Sequence, residues 1–384
     1  MASQAVMPVL SNTEMSAAGR TFPDLGQKLL GGTREFGFPL PGLRPLGLQC
    51  VHQEDNVLGT LSRRPFPGLA TTYDALVRAA FHPQWWDSLR RIRVGADGTV
   101  TVVSGFDHDP STREYTLMQH NFALFFGLAV QLYEATLVAN DSPYDRFMDG
   151  DPSAIGAPAI LGVDLFRSQT RGRCINCHEN AELTGASVRR VRQSPTRIRE
   201  GQALDRGFNN IGVLWTLEDR GVGGNDPFGV PLSSVRLLIP PPPEPIAVDG
   251  AFKVPGLRNV ELTAPYFHTG GFRTLREILQ FYSRGGDAVP ARSTDGSLVI
   301  AGLNVLNNTE EEMAAVEAWL LSLTDERVRA RCAPFDHPQL FVPNGHLGDN
   351  TFVPSILGLA FDRFVEVPAV GRNGGSPLKK FLEQ

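Results

Sequence analysis

The stretch that decides the fold is RGRCINCHENAELTG, Arg171 to Gly185, which holds two of the four cysteines in the chain. Cys174 and Cys177 stand three positions apart, and His178 follows directly. Cys-x-x-Cys-His is the attachment signature of c-type haem. Two thiols at this spacing reach the two vinyl groups on one edge of the porphyrin, and the histidine offers a nitrogen to the iron. The sequence therefore predicts one covalent c-type haem, with Cys174 and Cys177 as thioether links and His178 as the proximal ligand.

Other chemistries also use closely spaced cysteines. A zinc site needs two more Cys or His ligands at short spacing, and none follow this motif nearby. A thioredoxin-like dithiol needs a βαβ context, which the surrounding sequence lacks. Haem attachment is therefore the preferred interpretation over these two and over a chance match. Cys50 and Cys332 are isolated, and the sequence leaves open whether they pair with each other or stay free thiols.

The bulk composition limits the classes of protein. The 384 residues are enough for two domains, and 42% hydrophobic with 20% charged residues is ordinary for a globular chain. A net charge of −5 without a dense Lys/Arg stripe argues against a nucleic-acid partner. No stretch approaches the ~18 apolar residues of a membrane span. The N-terminus lacks a charged region followed by an apolar one, so as written it is not a signal peptide.

Five segments carry clear structural patterns. EYTLMQHNFALFFGLAVQLYEATLVAN, residues 114–140, predicts the longest helix, apolar almost all round and therefore buried. ILGVDLFRSQ, residues 160–169, predicts a helix that leads into the cysteine motif. TLREILQFYS, residues 274–283, predicts a short amphipathic helix. NTEEEMAAVEAWLLSL, residues 308–323, predicts a helix capped by Asn308 or Thr309. RVGADGTVTVVSGFDHD, residues 93–109, predicts a hairpin.

The segment downstream of the motif carries a family resemblance. GAFKVPGLRNVELTAPYFHTGGFRTLREILQFYSRGGD, residues 250–287, together with CINCH and the FNNIG at 208–212, closely resembles the C-terminal haem domain of bacterial di-haem cytochrome c peroxidases. That superfamily also holds the di-haem enzyme that matures methylamine dehydrogenase, and the di-haem rubber oxygenases. The resemblance covers about residues 155 to 325. The tail APFDHPQLFVPNGH and the helix NFALFFGLAVQLYEATL are similar to larger members near the rubber-oxygenase branch.

The resemblance and the helical segments together predict a mainly α fold. We expect a partial N-terminal helical domain with long loops over residues 1–155, and a cytochrome c-like haem domain over 156–384 that ends in a loop-rich tail. Family members typically carry two Cys-x-x-Cys-His motifs, and the C-terminal haem relays electrons to the reactive N-terminal one. This chain has one Cys-x-x-Cys-His motif, and it matches the motif of the electron-relay haem. The sequence LQCVH at 48–52 cannot serve as the other motif, because it lacks the second cysteine. We expect that the chain is truncated at its N-terminus, because loss of one upstream segment would explain both the missing first haem motif and the missing signal peptide. The alternative is that the first haem is truly absent.

The resemblance offers two candidates for the second axial ligand. In the peroxidases a methionine occupies the position that is Tyr282 here, and in the methylamine dehydrogenase-maturing enzyme that position is a tyrosine ligand. His346 is the alternative, by similarity to a C-terminal histidine of the rubber oxygenases; His337 or an open site remain. No methionine lies between Met148 and Met313, so a local His/Met pair is excluded. A tyrosinate favours ferric and higher states, whereas methionine raises the reduction potential. A core tyrosine with a bonded hydroxyl is the simpler interpretation of Tyr282.

The resemblance also implies roles for residues around the haem. His268 in PYFHTGG is expected near a propionate or between two haems, without ligating iron. Arg258 is expected to pair with a propionate, because guanidinium suits planar carboxylates. Thr263 and Pro265 match positions whose backbone carbonyls bind calcium in the family. The remaining calcium ligand would come from the N-terminal domain, where we match none.

The predicted function is a c-type haem oxidoreductase of the di-haem peroxidase superfamily. This chain would carry the electron-relay haem for peroxide- or oxygen-dependent oxidation, in the periplasm or another extracytoplasmic compartment. A redox protein or a second haem domain would be its partner. The alternatives are a mono-haem electron-transfer cytochrome without catalysis, and a degenerate homologue without haem. The substrate stays open among peroxide, a quinone cofactor precursor and a polyisoprenoid.

Overall fold

The computed structural model divides the chain into two compact units. One comprises Met1–Val138 with Ala330–Ser376, and the other Ala139–Arg329 with Pro377–Gln384. The structure describes residues 6, 8–11, 15–17, 19–33, 39–40, 42–95, 98–104, 113–199, 201–215, 219–226, 229–287, 309–348, 352–356 and 359–380.

Runs of helices and runs of strands follow one another along these residues. The α-helices are α1 (Phe22–Leu30), α2 (Tyr73–Ala80), α3 (Leu117–His120), α4 (Phe122–Glu134), α5 (Pro143–Met148), α6 (Ala157–Arg167), α7 (Val188–Gln193), α8 (Leu275–Ser283), α9 (Glu310–Leu321) and α10 (Glu326–Ala330). The strands are β1 (Gly32–Thr33), β2 (Pro39–Leu40), β3 (Arg91–Val94), β4 (Val100–Val103), β5 (Arg113–Thr116), β6 (Thr196–Arg199), β7 (Gln202–Asp205), β8 (Phe208–Asn209), β9 (Phe252–Lys253), β10 (Leu340–His346), β11 (Ser355–Ile356), β12 (Leu359–Ala360) and β13 (Asp362–Val367).

The prediction of a mainly α fold, cytochrome c-like with a helical N-terminal domain, is wrong. Helix accounts for 31% and strand for 16%, which makes the fold mixed α/β. Among the described residues the largest sheet has three strands, in the order β4-β3-β5, and the others are antiparallel pairs. Their strands run from two to seven residues. Strands this short give too few alternating positions for a period of two to stand out in the sequence.

The tail predicted to be loop-rich contains an antiparallel ribbon of β10 and β13 and belongs with the N-terminal unit. The backbone N–H of Gln339 donates to the carbonyl of Cys50 at 2.8 Å, and that of Arg372 to the carbonyl of Glu54 at 2.8 Å. These bonds fasten the tail to residues 50–54. The unit boundary lies at Val138, earlier than the predicted residue 155.

The predicted helix over residues 114–140 is broken in the structure. Its first residues form β5, which pairs with β3 beside the predicted hairpin of β3 and β4. Thr116 caps α3, and the chain turns at Asn121 before α4. Phe122 and Phe125 are buried, but Leu132 on the same helix is 66% exposed. The prediction of one long helix buried all round is therefore wrong. Residues 96–97 and 105–109 of the predicted hairpin lie outside the described residues.

The second unit is organised around α6 and α9. Thr309 caps α9 by accepting from the backbone N–H of Glu312 at 3.2 Å, as predicted for this residue; Asn308 lies outside the described residues. Trp319 on α9 is 1% exposed, and its ring centroid lies 4.1 Å from that of Phe166 on α6. Within the described ranges, no helix is both long and apolar enough to traverse a lipid bilayer.

Gly162→Ala is expected to lower the free energy of unfolding by about 1–3 kcal/mol through overpacking. An added Cβ at Gly162 on α6 would collide with the backbone carbonyl of Ala315 and lie 2.9 Å from the Cβ of Trp319 on α9. Urea unfolding followed by tryptophan fluorescence measures the loss. Gly47→Ala is the control, since its added Cβ would have its nearest neighbour at 3.6 Å. Equal midpoints for both variants would contradict so close a contact between the two helices.

Candidate haem site

The cysteine motif forms a tight turn after α6. Gly172 and Arg173 adopt positive φ angles of 67° and 55°, which reverse the chain before a 3-10 turn at Cys174–Asn176. The backbone N–H groups of Cys177 and His178 then both donate to the carbonyl of Cys174, at 3.1 and 2.9 Å. This turn brings Cys174, Cys177 and His178 to the wall of one cavity.

The cavity has a volume of about 540 Å³ and lies wholly within the second unit. That volume falls in the range of cofactor pockets, roughly 300–1,000 Å³, which are typically apolar with a few polar groups. Its apolar wall is contributed by α6, α8, α9 and the segment that follows β9. The apolar lining residues include Phe166, Val254, Leu257, Leu275, Ile278, Leu279, Val316 and Leu320.

His178 is oriented as an iron ligand would be. Its Nδ1 lies 3.0 Å from the carbonyl oxygen of Leu183. A ring nitrogen bonds to a carbonyl only as N–H, so Nδ1 carries the proton and Nε2 keeps its lone pair for a metal. Burial lowers the pKa of His178, against the opposing effect of the carbonyls of Leu183 and Pro255. The imidazole is therefore neutral, the form that ligates iron.

The two cysteines lie in surroundings that suit thioethers. Burial raises the pKa of Cys174 to about 12, so its sulfur is held as a thiol. Redox dithiols and zinc thiolates need the opposite shift. The side-chain amide of Asn209 donates to the sulfur of Cys177 at 3.7 Å. In the part of the chain that the structure describes, no cluster of three or more His, Cys, Asp or Glu side chains is placed to hold a metal ion.

Tyr282 lies on α8 and lines the same cavity. The helix begins at a capping box in which Thr274 accepts from the backbone of Glu277 at 3.2 Å and Glu277 accepts from that of Thr274 at 3.0 Å. Burial raises the pKa of Tyr282, so without a metal its phenol is neutral. Among the described residues its hydroxyl has no hydrogen-bond partner, whereas Tyr266 on the same wall donates to the Val260 carbonyl at 2.9 Å. A hydroxyl left unbonded in a cavity suits a ligand better than an ordinary core tyrosine.

The histidine alternatives lie in the other unit. His346 is exposed on β10, with its Nδ1 2.9 Å from the carbonyl of Leu347, and it does not line the cavity. His337 pairs through Nδ1 with the carbonyl of Pro338 at 2.8 Å. Their ligation stays a prediction, and Tyr282 is the candidate that the cavity wall supplies.

His268, Thr263 and Pro265 all line the cavity. The expectation that His268 lies near a propionate or between two haems stays a prediction. The Nε2 of His268 forms a hydrogen bond with the carboxylate of Asp219, and its ring stacks on Phe252 at a centroid distance of 3.6 Å. The Thr263 hydroxyl donates to the carbonyl of Val260 at 3.1 Å. Calcium binding by the backbones of Thr263 and Pro265 stays a prediction.

Arg258 is engaged elsewhere. Two of its N–H groups bind both oxygens of Asp145, at 2.7 and 2.8 Å, and two more bind the carbonyls of Ala181 and Ala139 at 2.9 and 3.0 Å. It does not line the cavity. The pairing of Arg258 with a propionate stays a prediction that this geometry does not support.

Three cationic residues on the cavity wall were missed by sequence reasoning. They are Arg173, Arg199 and Lys253.

Arg258→Met is expected to destabilise the protein by about 2 kcal/mol at neutral pH, since hydrogen bonds between charged groups are worth roughly 1.5–3 kcal/mol. Burial raises the pKa of Asp145, but hydrogen bonds from Arg258 and Ser142 outweigh it and hold that pKa below its ordinary value. A carboxylate with a depressed pKa stabilises above its unfolded pKa, and this stabilisation is lost as the pH falls through the folded value. The deficit should therefore shrink in acid.

Urea unfolding at a series of pH values measures that deficit. The control is Arg284→Met, which breaks the exposed ion pair with Asp287 and should cost little. A deficit for Arg258→Met that does not depend on pH would contradict the role of Asp145.

Comparison with curated proteins finds relatives of one kind. The chain is 28% identical over 212 residues to the methylamine utilization protein MauG of Methylorubrum extorquens, covering 55% of this chain and 46% of that protein. It is 31% identical over 182 residues to the cytochrome c peroxidase Ccp of Escherichia coli, covering 47% and 31%. It is 28% identical over 156 residues to the cytochrome c551 peroxidase of Nitrosomonas europaea, covering 41% and 36%. The chain thus spans less than half the length of these relatives.

Solved structures match part of the chain. A MauG-like protein associated with microbial copper homeostasis aligns with a TM-score of 0.36 and 27% identity, covering 57% of this chain and 55% of that one. The diheme peroxidase BthA of Burkholderia thailandensis aligns with a TM-score of 0.37 and 22% identity, covering 58% and 56%. No family model matches the sequence.

The Cys-x-x-Cys-His motif, the cavity around it and the curated relatives all point to a c-type haem protein. Over the part of the chain that they match, the protein is similar to di-haem cytochrome c peroxidases, which confirms the resemblance found in the sequence. These relatives imply a c-type haem cofactor. The Cys-x-x-Cys-His turn fits such a group, since it places two thiols and a neutral imidazole on an apolar cavity wall.

Proposed function

We propose that this chain is the electron-relay part of a peroxide- or oxygen-dependent haem oxidoreductase. The single observation that carries the proposal is the placement of Cys174, Cys177, His178 and Tyr282 on the wall of one apolar cavity of about 540 Å³. Such a cavity fits one covalent haem, with His178 and Tyr282 both on its wall as candidate ligands.

Each residue has a distinct task in this proposal. The haem iron, when bound, supplies reversible one-electron chemistry. Cys174 and Cys177 would hold the porphyrin edge. The Leu183 carbonyl accepts from Nδ1 of His178 and so would leave Nε2 free to bind the iron. The apolar wall excludes water and so lowers the local dielectric. Tyr282 is proposed as the second axial ligand, which as tyrosinate would favour the ferric state.

The wider assembly is part of the proposal. We infer a second, reactive haem in a partner domain, because relatives of this class are di-haem enzymes. Calcium at Thr263 and Pro265 would then lie beside the relay haem. Because c-type haem is attached outside the cytoplasm, we propose a periplasmic or other extracytoplasmic location. The single Cys-x-x-Cys-His motif favours one other candidate, a mono-haem electron carrier.

The test is expression of the full chain in a bacterial periplasm together with a c-haem maturation system. Intact mass should show one covalent haem, and the reduced haem should be reoxidised by hydrogen peroxide once a peroxide-reactive haem domain is added. Electron transfer from a reduced donor protein to the haem without peroxide turnover would favour the mono-haem carrier. A chain without covalent haem would contradict the proposal.

A further inference from the structure

Strand β6 presents its side chains the opposite way from an ordinary strand. Successive side chains of a strand point to opposite faces. Ile198 is 54% exposed, whereas Arg197 and Arg199 on the other face are half-buried, and Arg199 lines the cavity. Burying charge while an apolar side chain faces solvent costs free energy. Such a reversal of the usual pattern points to a function that the buried face serves.

A short chain of polar contacts ties Arg197 to the attachment motif. Its Nη2 donates a hydrogen bond to Oδ1 of Asn209 at 2.6 Å. The amide Nδ2 of Asn209 donates in turn to the sulfur of Cys177 at 3.7 Å. Asn209 is buried, so its amide is held between these two partners. The guanidinium is thus fixed one side chain away from an attachment sulfur.

This guanidinium is charged and poorly solvated. Its Nε is buried and has no hydrogen-bond partner among the described residues. Burial lowers the pKa of Arg197. The like charges of Arg199 and Arg206 act in the same direction, and Glu179 opposes them. A guanidinium nevertheless stays protonated in proteins. A full positive charge that water screens only weakly therefore lies beside Cys177.

A haem propionate does not account for this charge. Arg197 does not line the cavity. The vinyl groups that become thioethers and the two propionates also lie on opposite edges of the porphyrin. A cation next to Cys177 therefore belongs to the attachment edge, where it acts on the haem through space.

We propose that Arg197 raises the reduction potential of the haem attached at Cys174 and Cys177, an inference that rests on the proposed function. Reduction adds one electron from a donor to the ferric haem, and no bond forms or breaks. A fixed cation beside the porphyrin edge stabilises the added negative charge and so favours the ferrous state. Tyr282, as tyrosinate, would act in the opposite direction. Arg197 thereby keeps a tyrosinate-ligated haem within reach of its electron donor.

The experiment is a spectroelectrochemical titration of the haem-loaded full chain. Arg197→Gln removes the charge and keeps a hydrogen-bond donor for Asn209. At a fixed applied potential its ratio of ferric to ferrous haem should rise about tenfold over wild type, which for one electron is a fall in potential of ~59 mV. Arg197→Lys keeps a cation at the same position, so it should show less than half of that shift.

The matched control is Arg276→Gln. Arg276 lies in the same unit, but the carboxylate of Glu317 already balances its charge at 2.6 Å, and it does not line the cavity. Its potential should equal that of wild type. Raising the salt from about 0.1 M to about 1 M, which shortens the Debye length from roughly 10 to 3 Å, should leave the difference between Arg197→Gln and wild type in place, because the charge is buried.

Asn209→Asp tests the same charge should Arg197→Gln fold poorly. It leaves Arg197 in place and sets a carboxylate against the guanidinium, so the potential should again fall. A wild-type potential in folded Arg197→Gln or in Asn209→Asp, an equal fall in Arg197→Gln and Arg197→Lys, or a difference that vanishes at high salt would overturn the inference alone. A wild-type chain without covalent haem would overturn the proposed function and the inference with it.

Discussion

Replacing Cys174 and Cys177 together by alanine is expected to abolish covalent haem attachment. In the proposed attachment each thiol forms one thioether bond, and neither Cys50 nor Cys332 lines the cavity. Either single replacement should leave one bond and a lower yield of holoprotein. Intact mass after denaturation measures the effect directly, because only covalently held haem stays with the unfolded chain.

The matched control for this prediction is the pair Cys50→Ala and Cys332→Ala. Both residues are free, half-buried thiols of the N-terminal unit and stand in no Cys-x-x-Cys motif. Their removal should leave the haem yield unchanged. Equal loss of haem in the control, or retention of haem in the Cys174/Cys177 double variant, would show that the turn at residues 174–178 is not the attachment site.

The sequence predicted those features that are encoded within a few consecutive residues. The Cys-x-x-Cys-His motif spans five consecutive residues, so Cys174 and Cys177 could be predicted as attachment residues without any knowledge of the fold. The helix α8 was predicted from its amphipathic pattern, and α9 from its cap at Thr309 and its apolar face, because each of these signals lies within one segment. The α/β character was missed because its strands are too short to show their period.

Long-range contacts were beyond sequence reasoning. The tail belongs with the N-terminal unit through the bond between Gln339 and Cys50, which are 289 positions apart. Arg258 was assigned to a propionate by motif, yet Asp145, 113 positions away, engages it. No pattern in the residues next to either partner indicates these pairings. The sequence also could not separate Tyr282 from His346, whereas the structure places only Tyr282 on the cavity wall.

Tyr282→Met is expected to raise the reduction potential of the bound haem. A thioether stabilises ferrous iron where a tyrosinate stabilises ferric iron, and axial ligands set haem potentials over a range of ~0.8 V. The rise should be a sizeable fraction of that range. Spectroelectrochemical titration of the haem-loaded variant against wild type measures it. Tyr282→Phe should instead remove the ligand and change the ferric EPR signal, because phenylalanine offers no donor atom.

Tyr266→Phe is the matched control, since Tyr266 lines the same cavity but its hydroxyl is committed to the Val260 carbonyl. It should leave the potential and the ferric signal nearly unchanged. A signal altered by His346→Ala but not by Tyr282→Phe would assign the second ligand to His346 instead. The haem would then be a bis-histidine relay, suited to passing electrons onward. Ligation by Tyr282 would make it better at holding oxidising equivalents, because the ferric and higher states would be the favoured ones.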